Sequence, residues 1–548
     1  MPARTPLFRI VERALRFARQ AEASGIAPGE LVERAELERR RSPLTRRRFL
    51  GTIAAAATGL ALGCRPLAPA RTPGGWDEVV IVGAGLAGLT AGYRLRRAGV
   101  QVRILEAQER VGGRIWSLRD RFPDGQVVEL GGELIDSGHT CVAALCDELG
   151  IALDDLDADD PSLARTVWYF GGRRRSEAEV VEAFRPFARR INADLATLRA
   201  GDSEAAMTYR EPHNSERLDR TTLAEWLAAV PAEGWARDLL AIAYTTECGL
   251  EPGEQSALNL LLLISPEPEP FRIFGDSDER FHVRGGNDRI TAALADRLGD
   301  AIETGVRLES VGERGDGSFR CSVRRGGWSS QIAAAHLVLA IPFTLLRQVR
   351  LDVELPLVKR CAIAELSYGT NAKLMIGFSE RVWRTAHGAN GSLFTDLPLQ
   401  TTWETSRFQS GRAGVLTNFT GGQHGAALRV GTAAEQAAIA VADLEAVFPS
   451  VAAAHAGQTQ VRFHWPSFAY TLSSYACYRP GQWTGICGAE AERVRRLHFA
   501  GEHCSLAAQG FMEGACETGE AAAAEILADF HAAPAWQARD LQRERVES

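Results

Sequence analysis

Three glycines and a glutamate near residue 80 have the spacing that binds the pyrophosphate of a dinucleotide. An apolar run over residues 79–82 comes first, and a helical pattern follows the glycines, which are Gly83, Gly85 and Gly88. In such a turn the backbone can approach two phosphates at a helix N-terminus, and the third glycine brings helix and strand together. Glu106 ends the next apolar strand, where a carboxylate can accept hydrogen bonds from ribose hydroxyls. The pattern therefore predicts a dinucleotide-binding βαβ unit.

Four further segments combine glycines with charged residues. Residues 110–114 read RVGGR and residues 129–133 read ELGGE, whereas residues 497–502 read LHFAGE and residues 511–519 read FMEGACETG. Together with the glycine turn, these segments resemble the flavin-containing amine oxidases, the family of monoamine oxidases, polyamine oxidases and L-amino acid oxidases. The resemblance covers residues 77 to about 528 and implies FAD as the cofactor.

The resemblance assigns the parts of an FAD site to positions in this chain. Val306 matches the residue whose backbone holds the adenine. Ser474, and not Cys477, aligns with the cysteine that carries the flavin covalently in the mitochondrial-type enzymes, so noncovalent FAD is expected. The implied cofactor-binding residues are Gly83, Gly85, Leu86, Ala87, Gly88, Glu106, Ala107, Gly113, Arg114, Gly131, Gly132, Glu133, Leu134, Val306, Gly501, Glu502, Phe511 and Met512.

Three side chains match the family's catalytic positions. Lys373 matches the lysine that holds a water against flavin nitrogen 5 and assists reoxidation by dioxygen, a task that suits a compact ammonium better than a planar guanidinium. Only Lys359 and Lys373 are lysines among the 62 basic residues, which favours this role over that of a surface lysine at a strand end. Tyr475 and Phe511 match the two rings of the family's aromatic cage, with ordinary core packing as the alternative.

One segment bears on the choice of substrate. Leu134 stands near the position where snake-venom-type amino acid oxidases carry an arginine for the substrate carboxylate. This difference argues against an α-amino acid, unless Arg119 or another arginine takes the role. Glu133, Asp136 and His139 add polar groups nearby. They either bind a cationic substrate tail or order the loop, and both alternatives stay open.

The function that the resemblance implies is oxidative deamination of an amine by an FAD-dependent oxidase. The amine and O₂ would give an imine and H₂O₂, and water would convert the imine into a carbonyl product and ammonia. An L-amino acid oxidase of the same fold is the first alternative. A flavin-binding protein without oxidase turnover is a distant second alternative. The expected small-molecule partners are an amine or amino acid and O₂.

Composition limits the remaining kinds of partner. The ten cysteines are scattered, and no Cys-x-x-Cys pair or histidine cluster occurs, so no zinc or iron–sulfur site is expected. The basic run at residues 173–175 is interpreted as a solvated loop rather than a patch that binds nucleic acid. The oligomeric state is left open, with a homodimer as one possibility.

The chain is long enough for more than one domain. Its 548 residues, 45% hydrophobic and 24% charged, are typical of a globular protein with two to four domains. The resemblance implies an α/β fold in which a Rossmann-like FAD-binding domain is interleaved with an α+β substrate-binding domain. The expected order is a leader at 1–70, FAD-binding parts at 77–150, 281–345 and 488–528, a helical substrate-binding part at 151–280, a sheet-forming substrate-binding part at 346–487, and a tail at 529–548.

Apolar patterns place individual elements within these parts. Alternating and continuous apolar runs predict strands, and wider spacing predicts amphipathic helices. Strands are expected at residues 303–308, 336–342, 373–378 and 414–419, and helices at residues 222–230 and 256–264.

The leader is set aside from the fold. Its consecutive arginines 46–48, followed by the mild apolar stretch 52–62, resemble a twin-arginine export signal, and the stretch is too short to span a bilayer. Lipid attachment at Cys64 competes with cleavage after residues 68–70. The protein is therefore expected to use the twin-arginine export machinery and to be periplasmic or secreted, with a lipid anchor if Cys64 is used.

Charge also separates the leader from the rest of the chain. Residues 1–70 hold 13 arginines and six acidic residues, so their removal changes the formal net charge from −7 to −14. An acidic protein of this kind has no electrostatic reason to bind nucleic acid or an anionic membrane surface.

Overall fold

The computed structural model describes residues 77–198, 206–263, 278–455 and 457–532. The predicted leader, with its arginine motif, Cys64 and the alternative cleavage site, lies outside these residues, as does the tail beyond residue 532. Within the described ranges, no helix is both long enough and apolar enough to cross a bilayer.

Strands and helices are interspersed along the described chain. The strands are β1 Asp77–Val82, β2 Val102–Leu105, β3 Ser117–Leu118, β4 Val128–Glu129, β5 Leu153–Asp155, β6 Val167–Phe170, β7 Arg173–Arg175, β8 Phe281–Val283, β9 Ile302–Glu303, β10 Val306–Glu313, β11 Phe319–Arg325, β12 Trp328–Leu339, β13 Arg350–Asp352, β14 Ala372–Phe378, β15 Leu393–Thr395, β16 Thr401–Glu404, β17 Gly414–Thr420, β18 Gln460–His464 and β19 Leu497–Phe499. The α-helices are α1 Leu86–Arg97, α2 Thr140–Leu149, α3 Glu177–Ala183, α4 Arg185–Leu198, α5 Glu216–Arg220, α6 Leu223–Ala228, α7 Gly234–Cys248, α8 Leu258–Leu261, α9 Asp288–Leu298, α10 Phe343–Leu346, α11 Leu357–Glu365, α12 Val382–Thr385, α13 Gly422–Ala427, α14 Ala433–Val447, α15 Val451–His455, α16 Gln482–Gly485 and α17 Met512–Ala532.

The first sheet carries the glycine turn. Its strand order is β13-β10-β11-β12-β1-β2-β9, and β19 pairs with the C-terminal end of β12. Strands β19, β12, β1, β2 and β9 run parallel, whereas β10, β11 and β12 form an antiparallel meander. Residues 79–81 of β1 are fully buried, as expected for a parallel strand covered on both faces. At the end of β1 the chain turns into α1, against which α17 packs.

The second sheet carries Lys373. Its order is β18-β14-β17-β16-β15-β6-β7, and all neighbours are antiparallel except β15 and β6. Every residue of β14 is buried. Alternate residues point to opposite faces, so Leu374 packs in the core that contains Leu444 of α14, and Met375 packs in the core that contains Val128 of β4. Lys373 shares the Met375 face and therefore points toward the segment after β4.

Helices α3–α8 lie between β7 and β8 in the chain, and their apolar side chains share one core with residues of the first sheet. Phe184, Phe187, Trp226 and Tyr244 are buried in this core. Capping boxes, in which a hydroxyl and a glutamate satisfy each other's backbone N–H groups, start α3 and α6. The helix expected at residues 256–264 is present over a shorter length, as α8.

The arginine run at residues 173–175 is a strand, β7, and not the loop that was expected. Gly171 and Gly172 both have positive φ, which closes a tight turn after β6. The run then pairs with β6 in antiparallel register, and its side chains remain largely exposed. The predicted helical segment, residues 151–280, thereby supplies strands to the second sheet as well as helices.

A glycine also divides a strand that was expected to be continuous. Gly305 has a φ of 67°, which an extended strand cannot accommodate, so β9 ends at Glu303 and β10 begins at Val306. The expected strands at 373–378 and 414–419 are present as β14 and β17.

Candidate functional site

A cavity of about 550 Å³ is lined by residues of both sheets and of helices α1 and α17. This volume lies in the range of small-molecule and cofactor sites. Every residue that the sequence assigned to the site lines it except Gly88, and Lys373, Tyr475 and Phe511 are among the lining residues. The fold thus brings together positions that lie far apart in the sequence.

The glycine turn leaves open space where a ligand would meet α1. Gly83 has a φ of 105°, and a Cβ there would lie 2.5 Å from the carbonyl oxygen of Ala340. A Cβ at Gly88 would overlap the carbonyl oxygen of Gly83, so Gly88 serves packing rather than the cavity wall. Gly85 differs, because its φ is −76° and a Cβ there would meet nothing closer than Gly113 Cα at 4.0 Å. No side chain caps the first turn of α1, which leaves its N–H groups for an anion.

Glu106 joins the glycine turn to the start of β10. Its carboxylate accepts hydrogen bonds from the backbone N–H groups of Ala84, at 2.8 Å, and Gln108, at 2.9 Å. Its carbonyl oxygen accepts from Val306 N–H at 2.8 Å, which fixes the backbone of the predicted adenine contact. Burial raises the pKa of the Glu106 carboxyl above its usual range, an effect that the two N–H donors only partly offset.

Arg114 and Glu502 form an ion pair that ties together three segments of the cavity wall. Arg114 Nη1 lies 2.7 Å from Glu502 Oε1 and also donates to the carbonyl oxygen of Ser474 at 2.6 Å. The Glu502 carboxylate accepts in addition from the N–H groups of Gly510, at 2.9 Å, and Ala476, at 3.3 Å. The sequence placed both residues in the site but did not indicate that they pair.

Lys373 is buried in the cavity wall with acceptors for all three of its N–H donors. Nζ lies 2.7 Å from Glu133 Oε2, 2.8 Å from the carbonyl oxygen of Gly131 and 3.3 Å from that of Glu129. An ammonium has three donors and no acceptor, so acceptors of residues 129–133 engage it completely. That Lys373 holds a water at the flavin stays a prediction. The sequence did not indicate that Glu133 is the partner of Lys373.

The Glu133 carboxylate is itself fully bonded. Its Oε1 accepts from Trp403 Nε1 at 2.8 Å and from the Thr405 hydroxyl. Burial alone would raise the pKa of the Glu133 carboxyl, but the charge of Lys373 and the hydrogen bonds from Lys373 and Thr405 bring this pKa below its usual range. Glu133 is therefore an ionised acid held inside the protein.

Aromatic side chains form much of the remaining wall near Lys373. The Tyr475 hydroxyl donates to the carbonyl oxygen of Glu247 at 2.7 Å, at the end of α7. The Phe511 ring meets the His139 ring edge-on, with centroids 5.0 Å apart. Trp403 and Phe419, which the sequence did not single out, also line the cavity from β16 and β17. The apolar pattern of strands β16 and β17 did not indicate which face of the sheet lines the cavity.

The contacts of Asp136 and His139 agree with the alternative in which these residues order the loop and do not bind a substrate tail. Asp136 Oδ1 accepts from Glu279 N–H at 2.6 Å, and Asp136 N–H donates to His139 Nδ1 at 2.9 Å. Neither residue is among those that line the cavity. Burial lowers the pKa of His139 to about 3, so its ring is neutral at physiological pH.

Comparison with known protein families shows the family to which this chain belongs. The family described as flavin containing amine oxidoreductase matches residues 86–527 of this chain. The chain belongs to this family. It is therefore an FAD-dependent amine oxidase.

Individual relatives align with most of this chain, and two solved structures share its fold. An L-amino acid dehydrogenase of Synechocystis sp. is 25% identical over 486 residues, which are 87% of this chain and 99% of that protein. A flavin-containing amine oxidase of Danio rerio is 25% identical over 84% of this chain and 88% of that protein. Cyclohexylamine oxidase from Brevibacterium oxydans has the same fold, with a TM-score of 0.71 and 22% identity over 83% of this chain and 100% of that one. Putrescine oxidase with bound putrescine gives a TM-score of 0.70 and 23% identity over 83% of this chain and 99% of that one.

The residues present fit FAD. The space at Gly85 and the uncapped start of α1 suit a pyrophosphate, and Glu106 suits a ribose. Ser474 lines the cavity, and its hydroxyl donates to Asn371 Oδ1 at 2.7 Å. Cys477 is buried away from the lining, with Sγ 3.3 Å from Asn259 Nδ2.

Outside the FAD site, side chains of metal-binding type meet in two places in the described chain. The groups are Cys141, Cys516 and Glu520, and His336, His498 and Asp529. Each group brings together distant segments of the chain, although Cys516 and Glu520 lie one turn apart on α17. Members of both already pair with arginines, at 2.7 Å for Glu520 with Arg94 and for Asp529 with Arg493.

Two glycine variants separate cofactor binding from folding. Gly85→Ala should leave the thermal unfolding of the apoprotein unchanged, because the added Cβ meets only open space within the protein. It should weaken FAD binding by roughly tenfold or more, because the methyl group takes the space of the pyrophosphate. Gly88→Ala should instead lower the free energy of unfolding by about 3 kcal/mol, because its Cβ overlaps backbone.

Thermal unfolding of the apoproteins and FAD titration followed by flavin fluorescence measure the two effects. Gly253→Ala, at a position with nothing within 4 Å of the added Cβ, is the matched control and should change neither quantity. Normal FAD affinity in the Gly85 variant would remove the pyrophosphate assignment.

Proposed function

We propose that this protein deaminates a primary amine oxidatively and uses O₂ as the electron acceptor. The amine R–CH(R′)–NH₂ and O₂ give the imine R–C(R′)=NH and H₂O₂, and water then hydrolyses the imine to a carbonyl compound and ammonia. When bound, FAD accepts the hydride equivalent from the amine carbon. The observation that supports this proposal is the meeting of Lys373, Tyr475 and Phe511 in one cavity with the FAD-binding residues.

The chain's own side chains orient the amine and exclude water. The Tyr475 ring is held by its hydroxyl at the end of α7, and the Phe511 ring is held against His139. Aromatic walls form an apolar slot that favours the neutral amine, from which a hydride leaves more readily, and tolerate its cation through the ring faces. The Lys373 ammonium supplies a fixed positive charge in the same wall.

The positions of the arginines that line the cavity favour an amine as the substrate over an α-amino acid, which would need a partner for its carboxylate. Among the described residues, the lining arginines are Arg114, Arg307 and Arg324. Arg114 is engaged with Glu502, and Arg307 and Arg324 lie on β10 and β11 near the adenine contact. Arg119 binds Asp288 and is not part of the lining. No arginine in the described lining is thus available beside Lys373 for a carboxylate.

An L-amino acid substrate is the second candidate. The relative named L-amino acid dehydrogenase aligns with 87% of this chain, which favours this candidate. The name of that relative also points to an acceptor other than O₂. Substrate and acceptor are therefore tested together.

A substrate panel with two readouts tests both candidates. Primary amines, diamines and L-amino acids are added anaerobically to the holoenzyme, and bleaching of the flavin absorbance is recorded. Air is then admitted and peroxide is measured with and without catalase. We expect bleaching by a primary amine and one equivalent of H₂O₂ on reoxidation. Bleaching by L-amino acids alone would select the second candidate, and bleaching without peroxide would exclude O₂ as the acceptor.

We also propose that the FAD is held without a covalent bond. Ser474 lines the cavity at the position of the family's covalent cysteine, and no cysteine belongs to the described lining. Acid precipitation of the purified yellow protein should therefore release all flavin to the supernatant. Flavin that stays with the protein pellet would show a covalent link and overturn this assignment.

We further propose that the protein is a bacterial enzyme exported in folded form by the twin-arginine route. The consecutive arginines 46–48 support this proposal, and because they offer two possible pairs, all three should be changed to lysine. The triple variant should retain holoenzyme in the cytoplasmic fraction. Arg65→Lys, elsewhere in the leader, is the matched control and should be exported normally. Export of the triple variant would contradict the proposal.

A further inference from the structure

We infer that Glu133 is a positioning residue that holds Lys373 as a fixed ammonium ion in the wall of the active-site cavity. The inference rests on the proposed function only for the role of the Lys373 charge in the reaction. The charge itself follows from the contacts of the two side chains and can be measured separately.

The geometry of the pair is that of a buried, charge-assisted hydrogen bond. Nζ and Oε2 are 2.7 Å apart, and both side chains are 6% exposed. An isolated ammonium in such a place would lose most of its hydration, so its charged form needs a nearby anion. Glu133 is the one carboxylate within ion-pair distance of Lys373 in the described chain.

The carboxylate cannot turn away from the lysine without losing other bonds. Trp403 Nε1 and the Thr405 hydroxyl both donate to Oε1, which leaves Oε2 directed at Nζ. The two carbonyl oxygens of Gly131 and Glu129 complete the lysine's acceptors. The pair therefore has one arrangement in which every polar atom is satisfied.

Other charged groups near the pair are already engaged. The Glu129 carboxylate accepts from Ser117, from Asn287 N–H and from His282 at 3.2 Å, and only its carbonyl oxygen meets Lys373. His282, on β8, adds positive charge when protonated. On the flanking strands β17 and β18, the register partners of Lys373 are Phe419 and Phe463, which carry no charge. Glu133 therefore supplies the compensating charge.

The second lysine of the chain shows what burial does without such a partner. Lys359 Nζ donates to the carbonyl oxygen of Glu490 at 2.9 Å and lies 3.8 Å from the centre of the Phe499 ring. The Glu490 carboxylate is turned to Tyr478 and Gly488 instead. Burial lowers the pKa of Lys359 to about 8. Lys359 makes no ion pair with a carboxylate among the described residues, whereas Lys373 has Glu133 at 2.7 Å.

Because the sequence has two lysines, the charge of each lysine can be followed separately. Protein labelled with ¹³Cε-lysine gives two side-chain signals, which Lys359→Arg and Lys373→Met assign by removing one each. In the wild-type holoenzyme, the Lys359 signal should move as pH passes through about 8. The Lys373 signal should keep its ammonium position through that interval. If the two signals move together in the wild-type protein, the inference is wrong.

Glu133→Gln supplies the second arm of the experiment. The amide keeps the shape but removes the anion, so the Lys373 signal should shift to its neutral position in the same interval as that of Lys359. Glu129→Gln, which removes a neighbouring buried carboxylate that does not touch Nζ, is the matched control and should shift the Lys373 signal less. A Lys373 signal that stays charged in Glu133→Gln would overturn the inference. Glu133→Asp keeps the charge if the amide variant fails to fold.

A kinetic readout connects the charge to the proposed function. Reoxidation of the reduced holoenzyme by O₂ should be independent of pH in the wild-type protein across this interval. In Glu133→Gln the rate should fall by about tenfold per pH unit above the transition, and Lys373→Met should be slow at every pH. If the enzyme does not reduce O₂ at all, the rates report that failure, whereas the ¹³C signals still decide the role of Glu133.

Discussion

The buried ion pair between Lys373 and Glu133 is the interaction on which the active-site wall depends. It connects β14, which lies next to the edge strand β18 of the second sheet, to the segment that follows β4. A buried ion pair is stable only when both partners are fully hydrogen-bonded, because each has lost its hydration. Here Trp403, Thr405 and the carbonyl oxygen of Gly131 meet that requirement. The pair thus contributes to the conformation of the 129–133 segment and to the orientation of Trp403.

A second set of polar contacts holds together the predicted FAD-binding parts, which are distant in the chain. Glu106 joins the glycine turn to Val306, and the ion pair of Arg114 with Glu502 joins the segments around Ser474 and Gly510. Because the chain leaves and re-enters this part of the fold, local secondary structure alone could not keep the cavity wall in register. These side chains are therefore part of the scaffold of the site as well as candidates for ligand contacts.

The cavity combines an apolar wall with a small number of fixed charges. Aromatic rings exclude water near Lys373, and exclusion of water strengthens the field of any charge left inside. The neutral total charge of the Lys373–Glu133 pair lets the ammonium persist in this environment.

The sequence by itself determined the parts that depend on local geometry. The glycine turn and the strand-ending Glu106 were recognisable because a tight turn and a helix N-terminus require particular residues at fixed spacing. The family motifs likewise predicted an FAD site, a role for Lys373 and the two ring positions. Only the tertiary structure decided which charges pair and which rings line the cavity. The partner of Lys373, the lining role of Trp403 and the strand at residues 173–175 depend on sheet order and register. Such long-range pairing leaves no periodic signal in one sequence, because its members lie hundreds of residues apart.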